Sequence, residues 1–198
     1  MKTLATPWPA RALVLSGAAA SDVFTPAELA RAAELTLQKR RDEWLLSRAA
    51  AKTLAVQLGL AADERSVTIE RPRLLVEGRD TGWHVSLSHS TPYAAAAIAR
   101  EPVGIDVQVI RDLDLRAAHL FLTSEEERAM QRCTIAHRML HFWCAKEAAF
   151  KQRSDEFTTM RQLHIELLEE REAGLLFDVV ETVAIDDVIV ALTRPVSS

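Results

Sequence analysis

Trp143-Cys144-Ala145-Lys146-Glu147-Ala148-Ala149-Phe150-Lys151 lies in a stretch, His137 to Gln152, whose apolar spacing reads as a helix. The same chain carries an echo of it. Trp44-Leu45-Leu46-Ser47-Arg48-Ala49-Ala50-Ala51-Lys52 sits about half the chain earlier and aligns without a gap, sharing the Trp, two alanines and the final Lys. Such an echo predicts two similar α+β halves, residues 1–100 and 101–198, with the boundary near residues 99–102. A match this short between Ala-rich helices is also what chance produces, so the elements around it must carry the argument.

Leu13 to Leu15 reads as a strand. Thr25-Pro26-Ala27-Glu28 opens a helix with an N-cap, a Pro at its first position and an early acid, and the helix is expected to run from Glu28 to about Leu37. Arg40 to Leu58 is a longer helix ended by Gly59, and Val67 to Ile69 is a short strand. His84 to Ser88 alternates as a strand does, and Thr91-Pro92 turns the chain. Tyr93 to Ala99 is assigned to a buried strand in spite of its alanines, because it is short and bracketed by turn signals. Val103 to Val109 is expected to follow as the third strand of a meander.

Thr123-Ser124-Glu125-Glu126-Glu127 marks another helix start. In the tail, Leu163 to Leu167, Leu175 to Val180 and Val188 to Leu192 suggest a closing antiparallel sheet, with Glu169 to Gly174 as a hairpin connection.

The chain has 198 residues, 48% of them hydrophobic, which is enough for a substantial core in one domain or two small ones. A formal net charge of −4 argues against wholesale nucleic-acid binding. Any anionic ligand must therefore meet a local cluster of Lys and Arg. Cys133 and Cys144 lie in helical stretches without metal-ligand spacing, so a reduced, cytoplasmic setting is expected. Pro7 and Pro9 interrupt an N-terminal segment that faintly resembles a secretion signal, and its apolar run is too short for one. No run reaches the ~20 apolar residues of a membrane span.

In the Trp143–Lys151 helix, Trp143, Glu147 and Lys151 recur every four residues and share one face. Glu147 can ligate a hard cation or accept a proton, and Lys151 can neutralise or protonate a phosphate oxygen. The same spacing also describes an ordinary solvated ion pair. Asp106 stands in the apolar strand Val103-Gly104-Ile105-Asp106-Val107, where an unpaired carboxylate would be costly, and Gly104 permits a close backbone approach. Asp106 and Glu147 together suit Mg²⁺, which takes one or two carboxylates plus substrate phosphates. Ser86-Leu87-Ser88-His89-Ser90 offers hydroxyls and an imidazole to a phosphate, and Glu70-Arg71-Pro72-Arg73 offers two guanidiniums at a turn.

Taken in order, Val85 to Ser90, Val103 to Gln108 and Phe142 to Lys151 resemble the three signatures of 4′-phosphopantetheinyl transferases of the surfactin-synthetase-activating type, with Arg71-Pro72 in the place of the family's Lys/Arg-Pro element. The resemblance runs from about Arg31 to Lys151. It implies two pseudo-twofold-related α/β halves, with coenzyme A as substrate in the cleft between them. The 3′-phosphate would be held by His89 with Arg31 and Arg48, Ser88 would also contact coenzyme A, and the adenine end would lie near Arg71. Mg²⁺ would bridge Asp106, Glu147 and the pyrophosphate. Glu147 would help deprotonate a serine of an acyl or peptidyl carrier protein, and Lys151 would stabilise or protonate the leaving 3′,5′-ADP. Asp106, Glu147 and Lys151 are thus the expected catalytic set of a cytoplasmic monomer that needs neither nucleic acid nor membrane.

One position departs from the family. Its third-motif acid is Gln108 here, on the same strand face as Asp106, from where it can ligate through its carbonyl oxygen or hold a water. That departure keeps a weakened coenzyme A- or carrier-binding module open as an alternative, beside an unrelated Mg²⁺-dependent phosphohydrolase. A carrier, acidic around its serine, would be met by Arg111, Arg116 and the loop to Phe121. Whether it serves fatty acid, polyketide or nonribosomal peptide synthesis is left open by the sequence.

Overall fold

The structure is a computed structural model and describes residues 1–8 and 11–195; Pro9 falls outside them. Contacts divide the chain into two compact units, the first ending at Pro102 and the second starting at Val103.

The first unit is a six-stranded antiparallel sheet with one long helix on it. Its strands are β1 (Lys2–Leu4), β2 (Ala12–Ser16), β3 (Val67–Glu70), β4 (Arg73–Val76), β5 (Arg79–Ser90) and β6 (Tyr93–Ala99), in the order β1-β2-β6-β5-β4-β3. Helix α1 (Pro26–Ala33) starts at a complete Thr25–Glu28 capping box, and α2 (Gln38–Gln57) packs on β6, β2 and β5. The Tyr93–Ala99 segment is a strand as expected. Its alanines are the reason α2 can press onto it: Ala94 and Ala96 join Leu13, Leu15, Val85, Leu87 and the Ala49–Leu54 face of α2 in one core. Helix α1 stops short of the expected Leu37, and from the next helix Arg41 Nη2 donates to the Leu35 carbonyl at 3.0 Å.

The second unit repeats the plan with five strands. Strands β7 (Ile105–Val109), β8 (Leu167–Arg171), β9 (Gly174–Phe177), β10 (Val180–Ile185) and β11 (Val188–Thr193) are ordered β7-β11-β10-β9-β8, again antiparallel. Helix α3 (Ser124–Arg132) starts at a Thr123–Glu126 capping box, and α4 (Arg138–Gln152) packs on β11, β7 and β10. Phe142 of α4 meets Phe177 edge-on at 5.0 Å. Burying side chains of this size contributes on the order of 1.5–3 kcal/mol each.

Three expectations are corrected. Val103–Val109 is not the third strand of a meander: β7 pairs with β11, while both edges of β6 are already taken by β5 and β2. The segment Leu163–Leu167 is not a strand until its last residue. Its backbone is engaged otherwise, because the buried Lys146 Nζ donates to the Leu163 carbonyl and Ile165 N–H donates to Glu126 Oε1 at 2.9 Å. Leu175–Val180 breaks after Phe177, and the chain reverses into β10, a strand with no counterpart in the sequence reading.

The echo is real in substance but differently aligned. Lys52 and Lys146 are both fully buried. Lys52 Nζ donates to Glu28 at 2.8 Å and to the Val67 carbonyl at 2.7 Å, while Lys146 Nζ donates to Glu126 at 2.9 Å and to the Leu163 carbonyl. In each unit the Glu is the capping-box residue of the preceding helix, and the carbonyl lies at or just before the outermost strand. Lys52 therefore corresponds to Lys146 and not to Lys151. Among the described residues no helix is long and apolar enough to cross a membrane.

Candidate active site

The site grows from the start of β7. A Cβ built on Gly104 would lie 1.8 Å from the carbonyl oxygen of Ala148 in α4, so only glycine allows strand and helix backbones to touch there. Gly104 is held in place by Thr193, whose Oγ1 accepts its N–H at 2.9 Å and whose own N–H donates to its carbonyl at 3.0 Å. Two residues on, Asp106 pairs with Ala191 and Gln108 with Ile189; both partners belong to the core under α4. Asp106 and Gln108 consequently face α4.

Asp106 is 2% exposed and surrounded by donors. Lys151 Nζ donates to its Oδ1 at 2.7 Å and to the Ile105 carbonyl at 3.0 Å. On the other oxygen, Gln108 Nε2 donates at 3.0 Å and Cys144 Sγ at 3.4 Å. Lys151 thus spends its charge on Asp106, so the simple Glu147–Lys151 surface pair is not what the fold makes. Trp143, on the same helix face, packs edge-on against Phe121 at 4.9 Å and forms an apolar neighbour to the polar cluster. Burial first, and the Asp106 charge second, push the Glu147 carboxyl above its ordinary pKa, with Lys151 pulling the other way. Burial and the same Asp106 charge raise the Cys144 thiol well above its usual range, so it acts here as a neutral donor.

This donor set fits a hard divalent cation. Asp106 and Glu147 are mutually repelling carboxylates, a condition that a cation between them would relieve, and Gln108, donating through nitrogen, keeps its carbonyl oxygen as a ligand. Among the described residues no three of His, Cys, Asp and Glu are arranged to hold a metal ion, so beside the two carboxylates the remaining oxygen here is the Gln108 amide.

The expected phosphate ligands all lie on the first unit, and the fold sorts them. Arg48 stacks on the Trp44 ring at 3.7 Å, and its pKa falls to about 10, through burial first and the Arg71 charge second, opposed by Glu28. Arg48 and Arg71 are thus brought within electrostatic reach of each other. Ser88 and His89 are adjacent along β5 and point to opposite faces: Ser88 is buried opposite Ala95, whereas His89 shares the α2-facing side with Leu87. Arg31 is exposed and paired with Glu34 on its own helix turn.

Sequence reasoning missed two participants. Glu43 of α2 accepts from Thr91 Oγ1 at 2.6 Å and lies 3.6 Å from His89 Nδ1. Cys144, which the sequence shows only as a helical residue without metal-ligand spacing, is a donor to Asp106. Neither carries a local signal, because each acts through a partner distant in sequence.

Residues 102–183, which contain this entire β7–α4 cluster, match the sequence model of the 4′-phosphopantetheinyl transferase superfamily. A 4′-phosphopantetheinyl transferase, psf-1 of Bacillus pumilus, is 32% identical over 72 residues, or 35% of this chain. The match spans 31% of that relative's length. The segment matched by that model runs from β7 through α3 and α4 into β10, so the carboxylate pair, Gln108 and Lys151 all lie inside it.

Proposed function

We propose that this protein transfers the 4′-phosphopantetheine group of coenzyme A to a serine of an acyl or peptidyl carrier protein, releasing 3′,5′-ADP. The observation that carries the reading is the convergence of Asp106, Glu147 and Lys151 from β7 and α4 within the superfamily segment.

The residues divide the work by their environments. Asp106, Glu147 and the Gln108 carbonyl would hold Mg²⁺, which when bound supplies charge neutralisation to the pyrophosphate. Glu147, its carboxyl raised by burial and by Asp106, is tuned toward accepting the proton of the carrier serine. The serine oxygen then bonds to the phosphorus of phosphopantetheine as the bond to the 5′-phosphate oxygen of 3′,5′-ADP breaks. Lys151, fixed beside Asp106, offers its ammonium to that leaving phosphate. Arg48, Arg71 and His89 on the first unit supply the cationic and hydrogen-bonding side chains for the 3′-phosphate and adenine end, with Ser88 reaching coenzyme A from the opposite face of β5; Arg31 would join them by leaving Glu34. Phosphoryl transfer demands positioning and charge neutralisation more than covalent assistance, and this set supplies both.

The test is to incubate the protein with apo carrier proteins of several classes, coenzyme A and Mg²⁺, and to read carrier mass. Addition of one phosphopantetheine group is expected, and Asp106→Ala and Glu147→Gln abolish it while circular dichroism stays unchanged. Coenzyme A binding without mass gain would mark a binding module instead, and release of inorganic phosphate without carrier modification a phosphohydrolase.

A further inference from the structure

An acid in the midst of the proposed phosphate ligands needs an explanation. Glu43 sits on α2, a helix that also presents Lys39, Arg40, Arg41 and Arg48, and its side chain is only 14% exposed. A carboxylate there would repel an incoming phosphate unless its charge were engaged by something else. The structure shows what engages it. Oε1 accepts the Thr91 hydroxyl at 2.6 Å, and Oε2 faces Nδ1 of His89 at 3.6 Å, with Lys39 Nζ 3.7 Å from Oε1. His89 lies near the end of β5 and Thr91 in the turn that follows, so one carboxylate ties that turn to the helix.

We propose that Glu43 is a positioning residue for phosphate recognition: it anchors Thr91 and attracts the Nδ1 side of His89, so that Nε2 is the ring nitrogen presented to the 3′-phosphate of coenzyme A. The inference rests on the coenzyme A reading given above. A carboxylate facing one imidazole nitrogen orients the ring, the arrangement that steers histidines in ligand and metal sites, and in the doubly protonated ring Nε2–H is then the donor to a phosphate oxygen. The acid thereby acts through His89 and does not touch the phosphate. It also gives the chain a means of favouring coenzyme A over 3′-dephospho-coenzyme A without another cation at the site.

The experiment is isothermal titration of coenzyme A and of 3′-dephospho-coenzyme A, with Mg²⁺ present, into the wild type, Glu43→Gln, His89→Ala and the double variant. Gln keeps an oxygen to accept the Thr91 hydroxyl and removes only the charge, so the fold is retained. The wild type should prefer coenzyme A. Glu43→Gln should lose roughly five- to tenfold of that preference, His89→Ala should lose at least as much, and the double variant should be no worse than His89→Ala, because both substitutions act through one ring. Losses that multiply in the double variant, or a preference unchanged by Glu43→Gln while His89→Ala removes it, would overturn the role of Glu43 and leave the coenzyme A reading standing. A wild type that binds neither ligand would refute that reading, and this inference with it.

Discussion

Gly104→Ala is the sharpest test of how the fold builds the site. The added methyl would sit 1.8 Å from the Ala148 carbonyl oxygen and 2.8 Å from its carbon, whereas real Cβ contacts essentially never fall below 3.0 Å. Both neighbours are backbone, so no rotamer change relieves the clash; β7 and α4 must separate by more than 1 Å. The 2.7 Å Lys151–Asp106 bond and the 3.4 Å Cys144–Asp106 contact span those same two elements and would be stretched toward rupture. Overpacking of this kind costs about 1–3 kcal/mol, and the loss of a charge-assisted bond to a buried acid adds about 1.5–3 kcal/mol. We expect a total of about 3 kcal/mol or more in urea unfolding followed by tryptophan fluorescence, together with weakened Mn²⁺ binding by calorimetry. Gly174→Ala is the control: its methyl would strike the Thr182 carbonyl at 1.9 Å, in the β9–β10 hairpin, so stability should fall while the folded protein keeps its cation affinity. A Gly104→Ala variant within about 0.5 kcal/mol of wild type, with unchanged Mn²⁺ binding, would refute the account of β7 as wedged against α4.

Three further outcomes follow from buried charges. His141 is buried, bonded through Nδ1 to Thr182 Oγ1 at 2.9 Å, and held down to a pKa of about 4, by burial first and the His137 charge second. The unfolded ring takes a proton near pH 6.5 and the native ring does not, so stability should fall as pH drops from about 6.5 toward 4, by about 3 kcal/mol in all; His141→Asn should flatten that slope in urea titrations. Lys146→Met leaves the Glu126 charge buried with two backbone N–H donors and His164 Nδ1 3.7 Å away, and should cost about 3–5 kcal/mol, while adding Glu126→Gln should restore part of it, measured as coupling in a double-mutant cycle. Gln108→Glu exchanges a donor 3.0 Å from Asp106 for a like charge, so the variant should be less stable than wild type in chelator, yet bind Mg²⁺ more tightly and keep its activity at low Mg²⁺, read by thermal melts and calorimetry.

How far the sequence discloses all this depends on whether a residue's partner is local. The capping boxes of α1 and α3 are visible in Thr25–Glu28 and Thr123–Glu126 because cap and acid are three residues apart. Gly104, Asp106, Glu147 and Lys151 are visible because an acid in an apolar strand and a periodic helix face are local patterns. The burial of Lys52 and Lys146 is not, since a lysine in a helix reads as solvated until its distant carboxylate and carbonyl are known. That is why the sequence echo aligns on Trp44 and Trp143, with Lys52 against Lys151. The same distance in sequence hides the irregular backbone at 163–166, where Leu163 O, Ile165 N and Glu166 N bond to side chains, and Glu43, whose i,i+4 neighbour Lys39 suggests a surface pair.

The corrected alignment explains why one unit carries the carboxylates. With Lys52 matched to Lys146, β2 corresponds to β7 and β6 to β11, since each long helix packs on that pair in the same order. Leu13 and Leu15, paired with Ala96 and Ala94, then occupy the helix-facing positions that Asp106 and Gln108 occupy opposite Ala191 and Ile189. Thr53 stands where Glu147 does, next to the buried lysine, and Gln57 stands at the position of Lys151. Ala12, the residue before Leu13, corresponds to Ile105, and Arg11 to Gly104, the glycine that lets β7 close on α4. One scaffold, an antiparallel sheet under a helix pinned by a Glu–Lys pair, thus exists in an apolar version and a charged one. The pinning Lys is buried against its Glu in both, so exchanging a few side chains on a strand face and a helix face replaces a packed apolar core with the buried polar cluster of Asp106, Gln108, Glu147 and Lys151.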